Sequence, residues 1–486
     1  MAVASCAANP PPPVPRTDSP KPSFTPTTKE SVVVAVDGVG AGFNPHLLAD
    51  QSPTLVAVSQ LVLPSPFRPA SDPARPGVTN WVPDSSVLVS AEVTTQQPFT
   101  VTYTLRDDAQ WSDGAPIAAE DFRYLWQQMI TQPGVIDPAG YRLIADISNS
   151  GGGKTVVVTM KSPYPAWREL FSDLLPSHLI KDSIGGFARA LADNIPVSGS
   201  RFHIKGSVDR GRGEILLERN DRFWATPARP DQIRLRRGGT SSQLAESMRS
   251  GDTQVANVHG GGATRDELAA IPGVRTGIAQ QPRELQLILN GRTAELAAPG
   301  VRQGVLALLN QQLLAVVAAG DTVPRYPAQA LVLSPSDPAY RPTEPPRLGP
   351  DAGYRLLSDA GFRREQGPPL RLMRNGTQLR LRIGVPENDL NVVAVASTAA
   401  DQLRGAGVNA SVVTLPAAQL YGPALVGGSS ATPQVDAVVT WMQAGSDPAT
   451  VLASRFGCAP ASPAASDPGA AHPTSPSAPS TAAPTT

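Results

Sequence analysis

The chain has 486 residues, far above the size at which one hydrophobic core stops growing, so we expect at least two lobes. Lysine and arginine total 41, and aspartate and glutamate also total 41, which gives a formal charge of zero. This balance excludes the basic footprint that sequence-independent nucleic-acid binding requires. The 42 glycines and 51 prolines exceed what an ordinary globular domain carries, which predicts extended or disordered segments.

Two segments have that character. Residues 7–30 and residues 459–486 are rich in proline and poor in large apolar side chains, so they cannot bury enough surface to offset the entropy of ordering. We predict a disordered tether and a disordered tail. No run of about 18 apolar residues occurs, so no segment is predicted to span a bilayer as a helix. Cys6 and Cys458 are too few for a disulfide framework.

Strands and helices alternate between these ends, as in mixed α/β domains. Residues 31–36 and 99–105 have the β-branched or alternating composition of strands, and so do residues 155–160 and 214–218. A helix is predicted to begin at Ala119, where acidic residues favour the N-terminus. Its apolar stripe, at helical spacing, consists of Phe122, Leu125, Trp126 and Met129.

The second half of the chain repeats the alternation. The apolar spacing predicts one helix over residues 301–314 and another over residues 351–360. A strand at 379–385, a helix at 393–404 and a strand at 410–415 then follow in order. This order predicts a second lobe built from βαβ units.

Two glycine-rich segments resemble nucleotide-binding motifs and fail on spacing. In Gly38–Gly42 the third glycine of a dinucleotide fingerprint would fall at Phe43, so we predict a flexible turn. In Gly151–Thr155 the first glycine of a phosphate-binding loop would have to be Ser148, and a strand follows where a helix is needed. We predict a hairpin turn there.

No metal site, cofactor or catalytic constellation is predicted. The histidines are scattered singly, and none has a second histidine or a cysteine at ligand spacing. No Gly-x-Ser-x-Gly elbow occurs. We therefore expect a protein that is not an enzyme; an enzyme would need a cluster of perturbed titratable groups in one cleft.

The N-terminus, Val3-Ala4-Ser5-Cys6, resembles a lipobox, in which small residues precede a cysteine that becomes the lipid-bearing N-terminus. The proline-rich tether directly after it fits an anchored protein. We expect lipid attachment at Cys6 and a location on the extracytoplasmic face of the cell membrane. The alternative is a stray N-terminal cysteine.

Several segments, in the right order, resemble the family-5 extracellular solute-binding proteins, which bind oligopeptides, dipeptides or nickel for ABC importers. The most specific are Tyr103–Gly114 and Ala118–Tyr124, which match the family signature. The other matching segments are Asn44–His46, Pro196–Phe202, Leu217–Trp224, Val301–Gln303 and Leu356–Gly361. The resemblance covers residues 31–458 and rests on scaffold residues rather than on ligand contacts.

The resemblance implies a two-lobed, periplasmic-binding-protein-like α/β fold of the class II, or cluster C, type, with mixed sheets and hinge strands. Such a protein holds a ligand between its lobes without altering it. The expected organisation is a lipobox remnant and tether at 1–30, a first lobe at 31–275, a second lobe at 276–435, a return to the first lobe at 436–458 and a tail at 459–486. Crossings between lobes are expected near residues 270–285 and 430–440.

The segment Trp441–Pro448 resembles a family segment in which an aspartate holds the α-ammonium of a peptide. Ala444 stands at that position here. A buried ammonium without a carboxylate partner is costly, which disfavours peptide capture by that anchor. The nearest candidates for ligand contact are Trp441, Gln443 and Asp447, which packing or capping would explain equally well.

A narrower resemblance is to a lipoprotein member of this family from acid-fast cell envelopes. Its cues are Val197–Gly199 with Arg201, Gly211–Trp224 and Arg455–Cys458. It implies regulation of phosphatidylinositol mannoside and lipoarabinomannan biosynthesis, through binding of a mannosylated phosphatidylinositol intermediate. The expected partners are a glycolipid or peptide ligand, the membrane through the N-terminal lipid, and an ABC permease or a membrane mannosyltransferase. The alternative is the oligopeptide- or dipeptide-binding component of an ABC importer.

The family normally continues with helices that return to the first lobe, whereas low-complexity sequence follows Cys458 here. Either the C-terminal part is missing or the first lobe is completed differently. We favour a missing part, which would also hold a partner for Cys458.

Overall fold

The computed structural model describes residues 30–74, 78–320, 328–365, 367–387, 389–425, 435–445 and 447–457. The lipobox with Cys6, the predicted tether and tail, and Cys458 lie outside the described residues. The described elements form two sets, which we call the N-terminal half and the C-terminal half. The lobe boundaries drawn from the sequence remain a prediction.

The N-terminal half contains the following strands and helices. The strands are β1 (Ser31–Val36), β2 (Phe67–Ser71), β3 (Thr79–Pro83), β4 (Leu88–Gln96), β5 (Phe99–Leu105), β6 (Ile144–Ser150), β7 (Thr155–Met160), β8 (Phe202–Ile204), β9 (Glu214–Arg219), β10 (Gln232–Arg237) and β11 (Val255–Asn257). The helices are α1 (Pro53–Val62), α2 (Ala119–Thr131), α3 (Ala139–Arg142), α4 (Ser177–Ile180), α5 (Gly186–Arg189), α6 (Ser241–Arg249) and α7 (Gly262–Ala269).

Three sheets organise this half: β11-β1-β10-β9-β8, β4-β5-β7-β6 and the pair β2-β3. β1 lies between two parallel neighbours, with Ser31 opposite Gln232 of β10 and Val34 opposite Val255 of β11. A strand that is paired on both sides in parallel favours a continuous apolar run, which explains the valines of β1. The four predicted strands of this half are confirmed, with β9 one residue longer than expected.

Helix α2 begins at Ala119 as predicted, and its stripe faces the core. Phe122, Leu125 and Met129 are buried. The carboxylate of Asp121 accepts a hydrogen bond from Ala118 N at 3.2 Å, which satisfies an N–H that the helix leaves free. Around this helix the core is aromatic: the ring of Phe171 lies 4.9 Å from Phe122.

The C-terminal half is built around one four-stranded sheet in the order β12-β18-β16-β17. The strands of the whole C-terminal half are β12 (Arg283–Leu289), β13 (Arg363–Glu365), β14 (Arg371–Arg374), β15 (Thr377–Gln378), β16 (Arg380–Pro386), β17 (Asn409–Leu415) and β18 (Ala437–Gln443). Its helices are α8 (Pro299–Ala307), α9 (Gln311–Ala319), α10 (Gly349–Asp359), α11 (Leu390–Gly405), α12 (Ala417–Gln419) and α13 (Pro448–Arg455). The predicted βαβ unit is confirmed, because β16, α11 and β17 follow one another and the two strands pair in parallel.

The prediction of one helix over 301–314 is wrong. The chain forms α8 and α9, which are bent by 66° at residues 308–310. A new helix begins after Asn310, because its side chain accepts a hydrogen bond from Leu313 N at 3.1 Å as the N-cap of α9. Among the described residues no single helix is long and apolar enough to cross a membrane; only this bent pair passes that test of length and composition.

The two glycine-rich segments are turns. Gly151–Gly153 joins the antiparallel strands β6 and β7, as predicted, and all three glycines have φ between 57° and 87°. This is the region that favours glycine. After β1 the segment Gly38–Gly42 leads into an irregular stretch rather than a helix. A Cβ at Gly42 would lie 2.4 Å from the Asp50 carboxylate, so close approach explains this glycine.

Among the described residues, packing contacts tie the halves together. Helix α13 packs against α3 of the N-terminal half. A small apolar cluster contains Leu420 and Tyr421, and Leu48 and Ala49 of the N-terminal half pack against it. These contacts place the end of β18 and the segment after it beside the loops that follow β1.

Candidate functional site

A cavity of about 310 Å³ lies where the chain leaves β18 and meets the N-terminal half. One wall comes from residues 45–60, Trp81, residues 129–141 and residues 164–173. The other comes from the segment after β18. The residues of that second wall are Gln443, Ala444, Gly445, Asp447, Thr450 and Val451.

His46 belongs to the first wall and is uncharged at neutral pH. Its Nε2 lies 3.0 Å from Asp173 O, and burial lowers the pKa of the imidazole from 6.5 to about 4. A neutral imidazole with Nε2 donating to that carbonyl leaves Nδ1 as an acceptor. His46 therefore adds no positive charge to the cavity.

Asp173 is a buried carboxyl held in an unusual backbone conformation. It has φ 51°, and Phe171 has φ 63°, both in the left-handed region that is strained for residues with side chains. Its backbone N donates to Ser65 Oγ at 2.8 Å, which fixes the loop. Burial raises the pKa of the Asp173 carboxyl above its ordinary value. The strained loop thus places a carboxyl group at the wall of the cavity.

The second wall is set by the end of β18. Ala444 N donates to Pro282 O at 2.7 Å, which prolongs the pairing with β12 by one residue. Asp447 is the N-cap of α13: its Oδ2 accepts from Thr450 N at 2.8 Å and from Thr450 Oγ1 at 2.6 Å. A Cβ at Gly445 would lie 2.2 Å from Val451, so only glycine fits this turn.

Helix α13 is fastened to the first wall by polar contacts. Tyr164 Oη and Thr450 Oγ1 lie 2.8 Å apart, and Ala139 N donates to Ser454 Oγ at 3.0 Å. The Asp137 carboxylate pairs with the guanidinium of Arg455. The cavity is therefore closed on one side by a helix from the far end of the described chain.

The lining is acidic and aromatic. Among the described residues that form it, none is lysine or arginine. Its carboxylates are Asp137, Glu169, Asp173 and Asp447, and its aromatic rings, apart from His46, are Trp81, Tyr141 and Tyr164. Carboxylates accept hydrogen bonds and aromatic faces pack against apolar C–H surface. The charge of Asp137 is balanced by Arg455, and the other carboxyl groups make the lining favour a neutral or cationic ligand that is rich in donors over an anion.

The predicted site residues separate into two groups. Gln443 and Asp447 line the cavity, together with Ala444. Trp441 does not line it: its Nε1 donates to Asp389 Oδ2 at 3.2 Å, and Arg283 stacks on its ring. Asp447 also caps α13, so its capping role is observed, while its contact with a ligand remains a prediction.

His46, Asp137 and Asp173 were not predicted from the sequence as site residues. Asp137 precedes Pro138, a dipeptide that favours a turn, and Asp173 is a single acid inside the apolar run from Leu170 to Leu175. These were the available signals. In the described residues no group of three or more histidine, cysteine, aspartate or glutamate side chains could hold a metal ion.

Comparison with known proteins adds family evidence to this geometry. The model of the bacterial extracellular solute-binding proteins, family 5 Middle, matches residues 85–463. The probable monoacyl phosphatidylinositol tetramannoside-binding protein LpqW of Mycobacterium tuberculosis (strain CDC 1551 / Oshkosh) is 48% identical over 505 aligned residues. That alignment covers 99% of this chain and 78% of the relative.

Solved structures share the fold at low sequence identity. The periplasmic EDTA-binding protein EppA has a TM-score of 0.64 at 20% identity, over 88% of this chain and 80% of its own. The oligopeptide-binding protein AppA of Bacillus subtilis, solved with a nonapeptide, also has a TM-score of 0.64, at 14% identity, over 86% of this chain and 81% of its own. The predicted fold class, a two-lobed periplasmic-binding-protein fold with mixed sheets, is confirmed. The chain belongs to the family-5 bacterial extracellular solute-binding proteins.

Proposed function

We propose that this protein is an extracytoplasmic lipoprotein that binds the sugar head group of a mannosylated phosphatidylinositol and performs no chemistry on it. The observation that carries the proposal is the lining of the cavity. It combines carboxylates, aromatic rings and a glutamine amide without a lysine or arginine among its described residues. The relative that is 48% identical is named for binding a monoacyl phosphatidylinositol tetramannoside, which supports the same ligand class.

Sugar hydroxyl groups fit this lining because each can donate to a carboxylate. Asp447 Oδ1 has no hydrogen-bond partner among the described residues, and neither has the side-chain amide of Gln443. Trp81 and Tyr164 offer ring faces for the apolar side of a sugar. The volume, about 310 Å³, is at the lower end of small-molecule sites, so the cavity holds part of a head group rather than a whole glycolipid.

The test is titration calorimetry with a mannose oligosaccharide on the intact chain. We expect saturable binding, weakened at least tenfold by Gln443→Ala or Trp81→Ala, since each removes a direct ligand contact. Gln96→Ala is the matched control, because Gln96 is exposed on β4 and outside the cavity. Absence of oligosaccharide binding by the unaltered protein would reject the proposal.

The alternative is a peptide-binding component of an ABC importer. AppA is bound to a nonapeptide, and the acidic lining would also accept an ammonium group. Against it stands Ala444, which leaves that lining position without a carboxylate. Calorimetric binding of a peptide mixture with no binding of the mannose oligosaccharide would favour the importer.

Lipid attachment at Cys6 and a role in regulating phosphatidylinositol mannoside and lipoarabinomannan biosynthesis belong to the same proposal. The family description and the relative support an extracytoplasmic location. Mass spectrometry of protein extracted from its own membranes should find a diacylglyceryl group on Cys6. Disruption of the gene should change the ratio of phosphatidylinositol mannosides to lipoarabinomannan, with a membrane mannosyltransferase as the responding partner; an unchanged ratio would remove this part of the proposal.

A further inference from the structure

Arg283, at the start of β12, carries a guanidinium group without a hydrogen-bonding partner. The residue is half-buried, yet its side chain makes no hydrogen bond or ion pair with any described residue. None of its nitrogens is among the buried polar atoms of the described residues that lack a partner, so the guanidinium reaches solvent. Its N–H donors are therefore available to a group from outside the chain.

The guanidinium is held in place by stacking. Its Cζ lies 4.6 Å from the centre of the Trp441 ring. Trp441 is fixed in turn, because its Nε1 donates to Asp389 Oδ2, while Asp389 Oδ1 accepts from Val392 N at 3.1 Å as the N-cap of α11. A stacked guanidinium keeps its edges free for two parallel hydrogen bonds, the geometry that phosphate and carboxylate groups accept.

Two carboxylates lie near Arg283 without pairing with it. Asp37 and Asp389 are close enough to interact electrostatically with the guanidinium, but neither lies within 4.0 Å of its nitrogens. Each is otherwise engaged: Asp37 Oδ1 accepts from His259 N at 2.7 Å, and Asp389 caps α11. Their negative charge attracts the guanidinium and opposes a bound anion.

Arg283 lies directly across the strand pair from Gln443, which lines the cavity. Opposite residues of an antiparallel pair project from the same face, with Cβ atoms about 5 Å apart. A ligand that fills the cavity beside Gln443 can therefore reach Arg283. The cavity is acidic and the guanidinium is beside it, so the two positions select different chemical groups.

We propose that Arg283, stacked on Trp441, binds the phosphate group of a ligand whose sugar occupies the adjacent cavity. This inference rests on the proposed function and adds a second contact to it. The sugar is recognised by carboxylates and aromatic rings, and the phosphate by a bidentate guanidinium outside the acidic pocket. Separation of the two contacts would let the protein discriminate a phosphorylated glycan from a free one.

The experiment compares two probes on the intact protein by calorimetry: an α-mannose disaccharide and deacylated phosphatidylinositol dimannoside. The phosphorylated probe should bind more tightly. Arg283→Ala should weaken it by about tenfold to hundredfold and change disaccharide affinity less than twofold. Arg283→Lys should lose part of the effect, because lysine cannot form the bidentate contact.

Two further variants sharpen the test. Arg212→Ala is the matched control, since the Arg212 side chain is 85% exposed and lies away from the cavity, and it should change neither affinity. Asp37→Asn removes a nearby negative charge and should tighten the phosphorylated probe severalfold, without effect on the disaccharide. Thermal unfolding must show that each variant is folded.

Each result decides one of the two proposals. If the unaltered protein does not bind the disaccharide, the proposed function fails. If it binds both probes equally, or if Arg283→Ala affects both probes alike, the phosphate contact is wrong while the sugar site stands. Inorganic phosphate alone identifies the source: binding as tight as that of the phosphorylated glycan would overturn the assignment to a glycolipid.

Discussion

Arg455 holds Asp137 with two parallel hydrogen bonds, from Nε to Oδ1 at 2.9 Å and from Nη2 to Oδ2 at 2.8 Å. Nη2 also donates to Gln443 O at 2.7 Å. Both side chains are largely buried, at 13% and 18% exposure. This pair joins α13, the loop before α3 and the end of β18 at one point, and so it closes the candidate site.

Removal of Arg455 should release α13. Arg455→Ala leaves the Asp137 carboxylate buried without its cation, which costs about 3 kcal/mol or more where partners are well buried. We expect faster amide hydrogen exchange over residues 447–457 and a lower free energy of unfolding. Arg404→Ala, on the exposed side of α11, is the control. It should leave exchange over residues 447–457 unchanged and should change the free energy of unfolding by less than about 0.5 kcal/mol. Unchanged exchange in α13 would show that packing alone holds the helix.

Glu284 should be replaceable by glutamine without loss. Its Oε1 is buried with no partner among the described residues, and Oε2 accepts only from Gln286 Nε2 at 3.1 Å. Burial raises the pKa of this carboxyl above its ordinary value. An acid with a raised folded-state pKa loses stability as pH rises through the interval between its unfolded and folded values, and the loss persists above it.

Glu284→Gln should therefore be neutral or stabilising at pH 7.5 and should gain less at pH 4. Urea unfolding at the two pH values measures the difference. Glu92→Gln, at an exposed position on β4, provides the control and should be close to neutral at both. A clear loss of stability in Glu284→Gln at pH 7.5 would mean that the charged carboxylate has a partner.

Asp121 should be among the least replaceable polar residues of the N-terminal half. Its buried carboxylate accepts from Ser177 N and Ser177 Oγ, and from Ala118 N and Trp111 Nε1. Asp121→Ala would leave several buried donors without an acceptor, at a cost of about 1–3 kcal/mol each before relaxation. We therefore expect urea unfolding to show a free energy of unfolding that is lower by at least about 3 kcal/mol. Asp146→Ala, at an exposed position on β6, should cost less than about 0.5 kcal/mol. Equal losses in the two variants would contradict the role given to Asp121.

Asp50 should make stability depend on pH. Burial raises the pKa of its carboxyl from 3.8 to about 6, although Asn44 N donates to Oδ2 at 2.9 Å. The native state at this site is thus weakened as pH rises from about 4 to about 6. Asp50→Asn removes this dependence, so the melting temperature of the variant relative to the unaltered protein should rise between pH 4 and pH 7.

The comparison between variant and unaltered protein is necessary because His46 acts in the opposite direction. Its folded-state pKa of about 4 lies below the ordinary 6.5, so its contribution to stability is present above pH 6.5 and is lost as pH falls to about 4. A constant difference in melting temperature across pH 4 to 7 would show that the Asp50 carboxyl titrates normally.

The local sequence was sufficient to predict those elements whose packing in the fold agrees with their local pattern. β1 was predictable from its run of valines, and α2 from its apolar stripe and acidic N-terminus. The break between α8 and α9 was not, because the apolar spacing continues through it and only the capping by Asn310 stops the helix. Apolar periodicity indicates which face of a helix is apolar. It does not reveal a cap, because a cap acts through a single hydrogen bond.

The candidate site was predictable only in part. Gln443 and Asp447 could be selected because they belong to one segment that resembles a family motif. His46 and Asp173 are far from that segment along the chain and reach the cavity through loops whose conformation is set by distant hydrogen bonds, such as that from Asp173 N to Ser65. Positive φ at Asp173 has no signature in the sequence.

The sequence by itself determined the family, the alternation of strands and helices and the absence of an acidic residue at position 444, because these depend on short-range patterns and residue identity. Only the tertiary structure decided that the cavity is acidic and that the Arg283 guanidinium is left unpaired beside it. The physical reason is that the charge of a cavity and the hydrogen bonds of a side chain depend on which residues are near in space. Chain segments more than 300 residues apart, such as those of Asp137 and Arg455, become neighbours only when the whole chain has folded.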